Sequence, residues 1–259
     1  MNDFMILIST VDDNFFKQNK SINIPYLVIN QLIKKRNSSA IKTNLLFSYN
    51  EIGLSRSRNR AIEQAKADIC LISDDDVEYV EDIQKIVLQS FKDNPEVDII
   101  TFQIKTPNNM PYKNYREDSF YHNKKTIMSV SSIEIAFRKK SIIENNLSFD
   151  EKFGLGTDIP TGEEIIFLSD ALNKGLRILY IPVPIVIHPI ESSGKDYDND
   201  KLIMAKGAMF YRLFGFLSYS LSIFFTLKKA NLSSRYNYFK FASLMLKGIQ
   251  NYKGSRYAQ

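Results

Sequence analysis

The chain has a single cysteine, Cys70, among 259 residues. That excludes an intramolecular disulfide framework and fits a reducing, cytoplasmic setting. Cys70 lies inside an apolar run, where a thiol is expected to be buried and inert. The opening residues, MNDFMILIST, lack the basic segment and long apolar stretch of a signal peptide, so none is expected. No internal repeat is present. Leu213 to Leu227 is an uncharged stretch of 15 residues, short of the roughly 18 to 20 apolar residues that cross a bilayer. Acid is missing from the end of the chain: residues 201–259 hold ten Lys and Arg and no Asp or Glu, leaving 24 basic and 29 acidic residues before them. A body of net negative charge therefore carries a basic tail, which suits an anionic partner such as nucleic acid or an acidic membrane surface. The basic residues are spread among apolar runs and form no compact patch, which disfavours nucleic acid.

What is present reads as a folded α/β chain, with 44% hydrophobic and 24% charged residues. Phe4 to Ser9, Tyr26 to Ile29 and Leu45 to Ser48 read as short strands, and Ile69 to Ile72 as a central strand buried on both faces. A helix is expected after Gly53, capped by Ser55, with Ala61, Ile62 and Ala65 on one face. A second covers Val80 to Phe91, stopped by Asn94 and Pro95. Val97 to Ile104 and Ile133 to Phe137 continue as strands, and Lys105 to Lys125 reads as a long loop with His122 on its surface. Gly162 opens a helix that Gly175 ends, and Ile178 to Ile187, interrupted by prolines, suits a sheet edge. The alternation predicts a largely parallel sheet with helices on both faces. Residues 1–200 form that domain, and 201–259 a basic, aromatic-rich helical tail.

The chemistry concentrates at ICLISDDDVEY, Ile69 to Tyr79. Asp74, Asp75 and Asp76 follow a buried strand, at the edge where open α/β sheets bind ligands. Clustered carboxylates with oxygen ligands suit a hard divalent cation. The competing reading is a solvated acidic turn before a helix. Arg56, Arg58 and Arg60 start a helix without a core-facing reason, and Glu163 with Glu164 is a second acidic pair far along the chain. A phosphatase of the haloacid-dehalogenase type would need its acidic strand near the start of the chain. A nucleotidylyltransferase would need glycine after the first strand, where ISTVDDN has none.

Three stretches resemble family 2 glycosyltransferases, which have the GT-A fold: GLSRSRNRA at 53–61, LISDDDVEY at 71–79 and FDEKFGLGTDIPTGEEIIFLSDALNKG at 149–175. The resemblance implies a single Rossmann-like, mostly parallel sheet and transfer of a sugar from a nucleoside-diphosphate donor, a UDP-sugar foremost. It implies Mn²⁺ or Mg²⁺ on Asp76 and Asp74, with His188 as a further ligand, and nucleotide contacts from Thr10, Asp12, Asn30, Arg58, Asp74 and Asp75. Asn30 stands where many members carry an acidic residue that reads uracil, which leaves the base open. An inverting transfer needs a general base on the opposite face of the sugar; the second carboxylate of the family's pair falls on Glu164, with Glu163 as the alternative. The implied acceptor is a glycan or polyprenyl-linked glycan at the inner face of the cytoplasmic membrane. A glycan-binding or scaffolding protein with a degenerate site is the non-enzymatic alternative. The tail is expected to lie in an anionic membrane interface, with the stripe Tyr238, Phe241, Met245 and Ile249 on its apolar side; packing on the domain and a homodimer contact are the competing readings.

Overall fold

Strand β1, Phe4–Val11, fixes the two layers of the molecule. Its side chains alternate, so Met5 and Leu7 enter one apolar cluster while Phe4, Ile6 and Ile8 enter another on the opposite face. A strand buried on both sides needs helices on both sides. The chain supplies them. The protein is described by a computed structural model over residues 3–17, 22–34, 45–189 and 196–257.

After β1 come α1 (Asn14–Lys17), β2 (Tyr26–Gln31), β3 (Leu46–Tyr49), α2 (Leu54–Gln64) and β4 (Ile69–Asp74). Then follow β5 (Glu78–Tyr79), α3 (Ile83–Asp93), β6 (Ile99–Lys105), β7 (Phe120–Tyr121), β8 (Ile135–Arg138) and α4 (Lys139–Glu144). Helix α5 (Glu163–Asn173), β9 (Ile178–Ile187), α6 (Asp200–Phe214), α7 (Ser218–Lys229) and α8 (Tyr238–Tyr257) complete the described chain. The sheet order is β3-β2-β1-β4-β8-β6-β9-β5, with β7 also on β9. Strands β1, β2, β3, β4, β6 and β9 run in one direction, with β8 inserted antiparallel between β4 and β6. The expected GT-A sheet, mostly parallel and flanked by helices, is what forms.

Helix α2 places Ala61 and Ile62, and α5 places Phe167 and Leu168, over one face; α3 covers the other with Ile83, Val87 and Phe91. Cys70 is buried in the central strand, and burial pushes its thiol up to about 12, as an inert thiol requires.

Four local expectations are corrected. Ser55 does not cap α2: the capping position is Gly53 at φ 123°, and the Ser55 hydroxyl donates instead to the Phe153 carbonyl at 2.6 Å. His122 is buried rather than on the surface, held between Thr101 and Thr126, and burial lowers it to about 4. Strand β9 is not a simple edge. It pairs β6 along one side, while on the other β7 meets Leu179 and Tyr180 and β5 meets Val186 and Ile187. Pro182 and Pro184 fall between those two partners, and on the β6 side the register shifts on both sides of the Gln103–Pro184 pair, an irregularity that accommodates a missing N–H.

The fourth correction concerns the tail. Of the stripe read as membrane-facing, Tyr238 is exposed, but Phe241, Met245 and Ile249 are fully buried, and Phe241 and Met245 belong to a third cluster that joins α6 and α8 to Ile165 and Ile166 of α5 and to Phe153. Helices α6 and α8 cross at two glycines: a Cβ on Gly207 would stand 2.0 Å from the Met245 carbonyl oxygen, and one on Gly248 1.9 Å from that of Met204. Only backbones without side chains approach so closely.

Candidate active site

The strand order reverses at β1, because β2 and β3 lie to one side of it and β4 to the other. Carboxyl ends diverge at such a point and leave a crevice. A cleft of about 590 Å³ opens there, within the range of small-ligand sites. Thr10, Gln31, Arg58, Asp74, Asp75, Asp76, Glu163, Glu164 and His188 all line it. Elements far apart in sequence thus bring most of the expected residues to one cavity.

Arg58 is its structural node. One turn into α2 and 1% exposed, its guanidinium donates to Glu163 at 2.8 Å, to Asp74 at 3.1 Å and to the Ser132 hydroxyl at 2.9 Å, and it lies 5.5 Å from the Phe149 ring centroid. Burial pulls its pKa down, but Asp74, Glu163 and Glu164 outweigh that and leave it raised. The other α2 residues explain why this stretch has its composition. Ser57 donates to Ser9 at the end of β1, and Asn59 both donates to and accepts from the backbone of Phe149. Together with Ser55 they tie the loop before α5 to the sheet. Arg56 and Arg60 instead pair at the surface with Glu151 and with Glu51 and Glu63, arrangements of small energetic weight.

The two glutamates differ. Gly162 sits in the left-handed region at φ 97° and starts α5, so both carboxylates occupy the first turn, at the positive end of the helix. Glu163 is buried and committed to Arg58. Glu164 is half-buried on the cleft wall; burial and the neighbouring Glu163 raise its pKa to about 8, against the opposing pull of Arg58 and Lys206. The last of these comes from α6, and Met209 of the same helix closes on Gly162 so tightly that a Cβ there would meet its sulfur at 2.7 Å. The first tail helix therefore backs the glutamate pair.

The aspartates also separate. Asp74 is paired with Arg58, and Asp75 accepts from the Thr10 hydroxyl. Asp76 faces His188, whose Nε2 is 3.4 Å from Asp76 Oδ2 and whose Nδ1 is 2.7 Å from the Pro189 carbonyl. That carbonyl only accepts, so Nδ1 carries the proton and Nε2 points its remaining valence at a carboxylate. A proton or a cation belongs between them. The hydrogen bond to Asp76 accordingly raises the His188 pKa. Among the described residues no cluster of three or more His, Cys, Asp or Glu stands ready to hold a metal; Asp76 and His188 are the fitting pair, and a backbone carbonyl on the far ring nitrogen is the usual support of a histidine ligand.

Two expected nucleotide contacts do not line the cleft. Asn30 is fully buried, donates to Asp13 at 2.7 Å and accepts from its backbone N–H. Asp12, at φ 47°, accepts from the backbone of Ile33 and Lys34 and holds the turn after β2. Their neighbour Gln31 is the one at the cleft. Sequence reading also passed over Ser132 and Glu134. Glu134 is buried, holding Lys113 and Tyr115 of the 105–125 loop, and Ser131 with Glu134 forms a capping box. The S-x-x-E spacing in SSIE was the available signal.

Residues 37–154 match the family model described as Glycosyl transferase family 2. That segment, less than half of the chain, is similar to this family. Its first residues, up to 44, lie outside the described ones. Solved structures agree on the GT-A glycosyltransferase fold. S. aureus TarS 1-349 in complex with UDP-GlcNAc is 13% identical at a TM-score of 0.57, covering 99% of this chain and 92% of that one. The same TarS segment with UDP is 14% identical at 0.57, with the same coverage. A further TarS structure is 14% identical at 0.54; the match covers 86% of this chain but 43% of that one, so the chain spans under half of its length. No curated protein matches at sequence level. Similarity this distant carries the fold, and function rests on the site.

Proposed function

We propose that the chain is an inverting, metal-dependent glycosyltransferase that takes a sugar from a UDP-sugar and passes it to a glycan or polyprenyl-linked glycan at the cytoplasmic face of a membrane. The observation that carries this reading is the cleft in which Arg58 bonds both the Asp74 end of β4 and Glu163, while Glu164 is left open with a raised pKa. Glu163 is paired with the buried Arg58 guanidinium. Glu164 is the group with proton affinity to spare.

In the proposed reaction Glu164 accepts the proton of an acceptor hydroxyl as its oxygen bonds the anomeric carbon. The bond from that carbon to the diphosphate oxygen breaks on the opposite face, and the nucleoside diphosphate leaves with the electron pair. Asp76 and His188 would hold a divalent cation, which supplies positive charge to the departing diphosphate. In this reading Thr10 and Asp75, hydrogen-bonded at the switch point, and Gln31, all on the cleft, would meet the nucleoside. The TarS complexes with UDP and UDP-GlcNAc support UDP as the nucleotide. Lys113 and Tyr115, clamped by Glu134, fix the loop whose Tyr112 reaches the cleft.

Calorimetric titration with UDP, GDP and ADP, with and without Mn²⁺, tests the donor half. UDP should bind, Mn²⁺ should tighten it, and Asp76→Asn should erase the Mn²⁺ effect while leaving the melting temperature near the wild-type value, since a strand-end carboxylate buries little apolar area. Equal binding of all three nucleotides, or an Mn²⁺ effect that survives Asp76→Asn, would reject the assignment.

A further inference from the structure

Helix α7 is built inside out for a protein surrounded by water. Its buried residues are Ser218, Ser222 and Thr226, one per turn, with Leu221 and Phe225 partly buried beside them. Ile223, Phe224 and Leu227 point outward and are more than half exposed. The Ser218 and Ser222 hydroxyls are buried without a hydrogen-bond partner among the described residues. A surface helix in water buries its large apolar side chains and turns its hydroxyls out. Small residues inward and large apolar ones outward is the arrangement of a helix whose solvent is hydrocarbon.

Large apolar side chains are also exposed next to α7 in the chain and on α8. Phe216 before α7 is 80% exposed, and Phe239 at the start of α8 is 89% exposed. Cations sit on these rings: the Lys228 ammonium is 4.8 Å from the Phe224 centroid, and that of Lys253 is 5.9 Å from Phe216. Lysine ammoniums set against exposed phenyl rings put positive charge at this apolar face, as suits a boundary between acyl chains and headgroups.

From this we infer that the outer face of α7, with Phe216 just before it in the chain, seats in the surface of an anionic lipid bilayer. Charge selects the occupant. Residues 201–259 contain no acid, so a second copy docked through the same face would set lysines against lysines, whereas anionic headgroups complement them. The helix lies in the interface rather than crossing. Residues Asp200–Leu232 are long and apolar enough to span by composition, but the chain turns at Gly215, with φ 54° and ψ −127°, and α6 before it is packed on α5. The 12 residues of α7 extend about 18 Å at 1.5 Å each, short of a bilayer's roughly 30 Å core. The inference uses none of the proposed chemistry.

The sequence has no tryptophan, which gives a clean test in the full chain. Phe224→Trp should show a blue-shifted, brighter emission on mixing with phosphatidylcholine vesicles containing phosphatidylglycerol, while Ile143→Trp, exposed on α4, should not change. Cosedimentation should weaken with salt and on omitting phosphatidylglycerol, and should fall about ten-fold or more in the combined variant Ile223→Ser, Phe224→Ser, Leu227→Ser. Circular dichroism and nucleotide binding of that variant should match wild type, since none of the three residues lines the cleft. The inference is overturned if the full chain ignores these vesicles at low salt, if the triple variant binds them as well as wild type, or if the indole of the Phe224→Trp variant stays water-exposed on bound protein. A dimer in sedimentation velocity that the triple variant dissolves, with no vesicle binding, would assign the face to a second copy instead.

Discussion

The two adjacent glutamates show how position within one helical turn divides tasks between chemically similar groups. Glu163 points back to the buried guanidinium of Arg58, and Glu164 to the cleft. The consequence for stability has a definite sign. The Glu164 carboxyl is raised from 4.5 to about 8, by burial first and by Glu163 second, so the folded chain keeps this proton longer than the unfolded one. Its contribution is complete below the unfolded value and is lost as pH rises towards about 8. Glu164→Gln, neutral throughout, should therefore melt above wild type at pH 9 and close to it at pH 4, as read by circular dichroism; an unchanged difference between the two pH values would contradict the raised carboxyl. The acidic residues and Arg58 were legible in the sequence because charged side chains at strand ends and helix starts have few structural reasons to be there. Asn30 and Asp12 were not, since adjacency in sequence does not tell which way a side chain turns: Gln31, one residue on, reaches the cleft that Asn30 misses. Ser132 was hidden for another reason, because its value lies in a partner 74 positions away.

At the scale of elements, α6 and α8 are joined more tightly than a basic tail suggests. The crossing at Gly207 and Gly248 leaves no volume for a methyl group against backbone, which cannot move aside as a side chain can. Gly248→Ala should lower the melting temperature by about 5 °C or more, from an overpacking cost of roughly 2 kcal/mol; Gly254→Ala, which meets nothing within 4 Å, should not lower it. Equal melting of the two variants would mean that the helices do not cross as described. Period and composition announced these helices, but not their orientation. An apolar stripe such as Phe241, Met245 and Ile249 reads the same whether lipid or protein covers it, and only packing decides. Helix α7 posed the opposite problem, since its hydroxyls and its phenylalanines look like an ordinary mixed surface until the buried side is known. The prolines of β9 likewise argued for an edge, and the strand accommodates them in a gap between two short partners.

For the whole molecule, the switch point in the sheet, the helix that carries Arg58 and the helix that carries the glutamates converge on one cleft, and α6 connects that cleft to the apolar face of α7. If the acceptor is lipid-linked as proposed, such a layout would hold it near a membrane while the nucleotide enters from the water side. The central claim is sugar transfer from a UDP-sugar with Glu164 as base. Its most direct test is UDP release from a panel of UDP-sugars in the presence of Mn²⁺, comparing wild type with Glu164→Gln. Wild type should turn over at least one donor, and Glu164→Gln should bind UDP equally well yet turn over that donor about 10²-fold more slowly. Release of no UDP from any donor, or an undiminished rate in Glu164→Gln, would contradict the account.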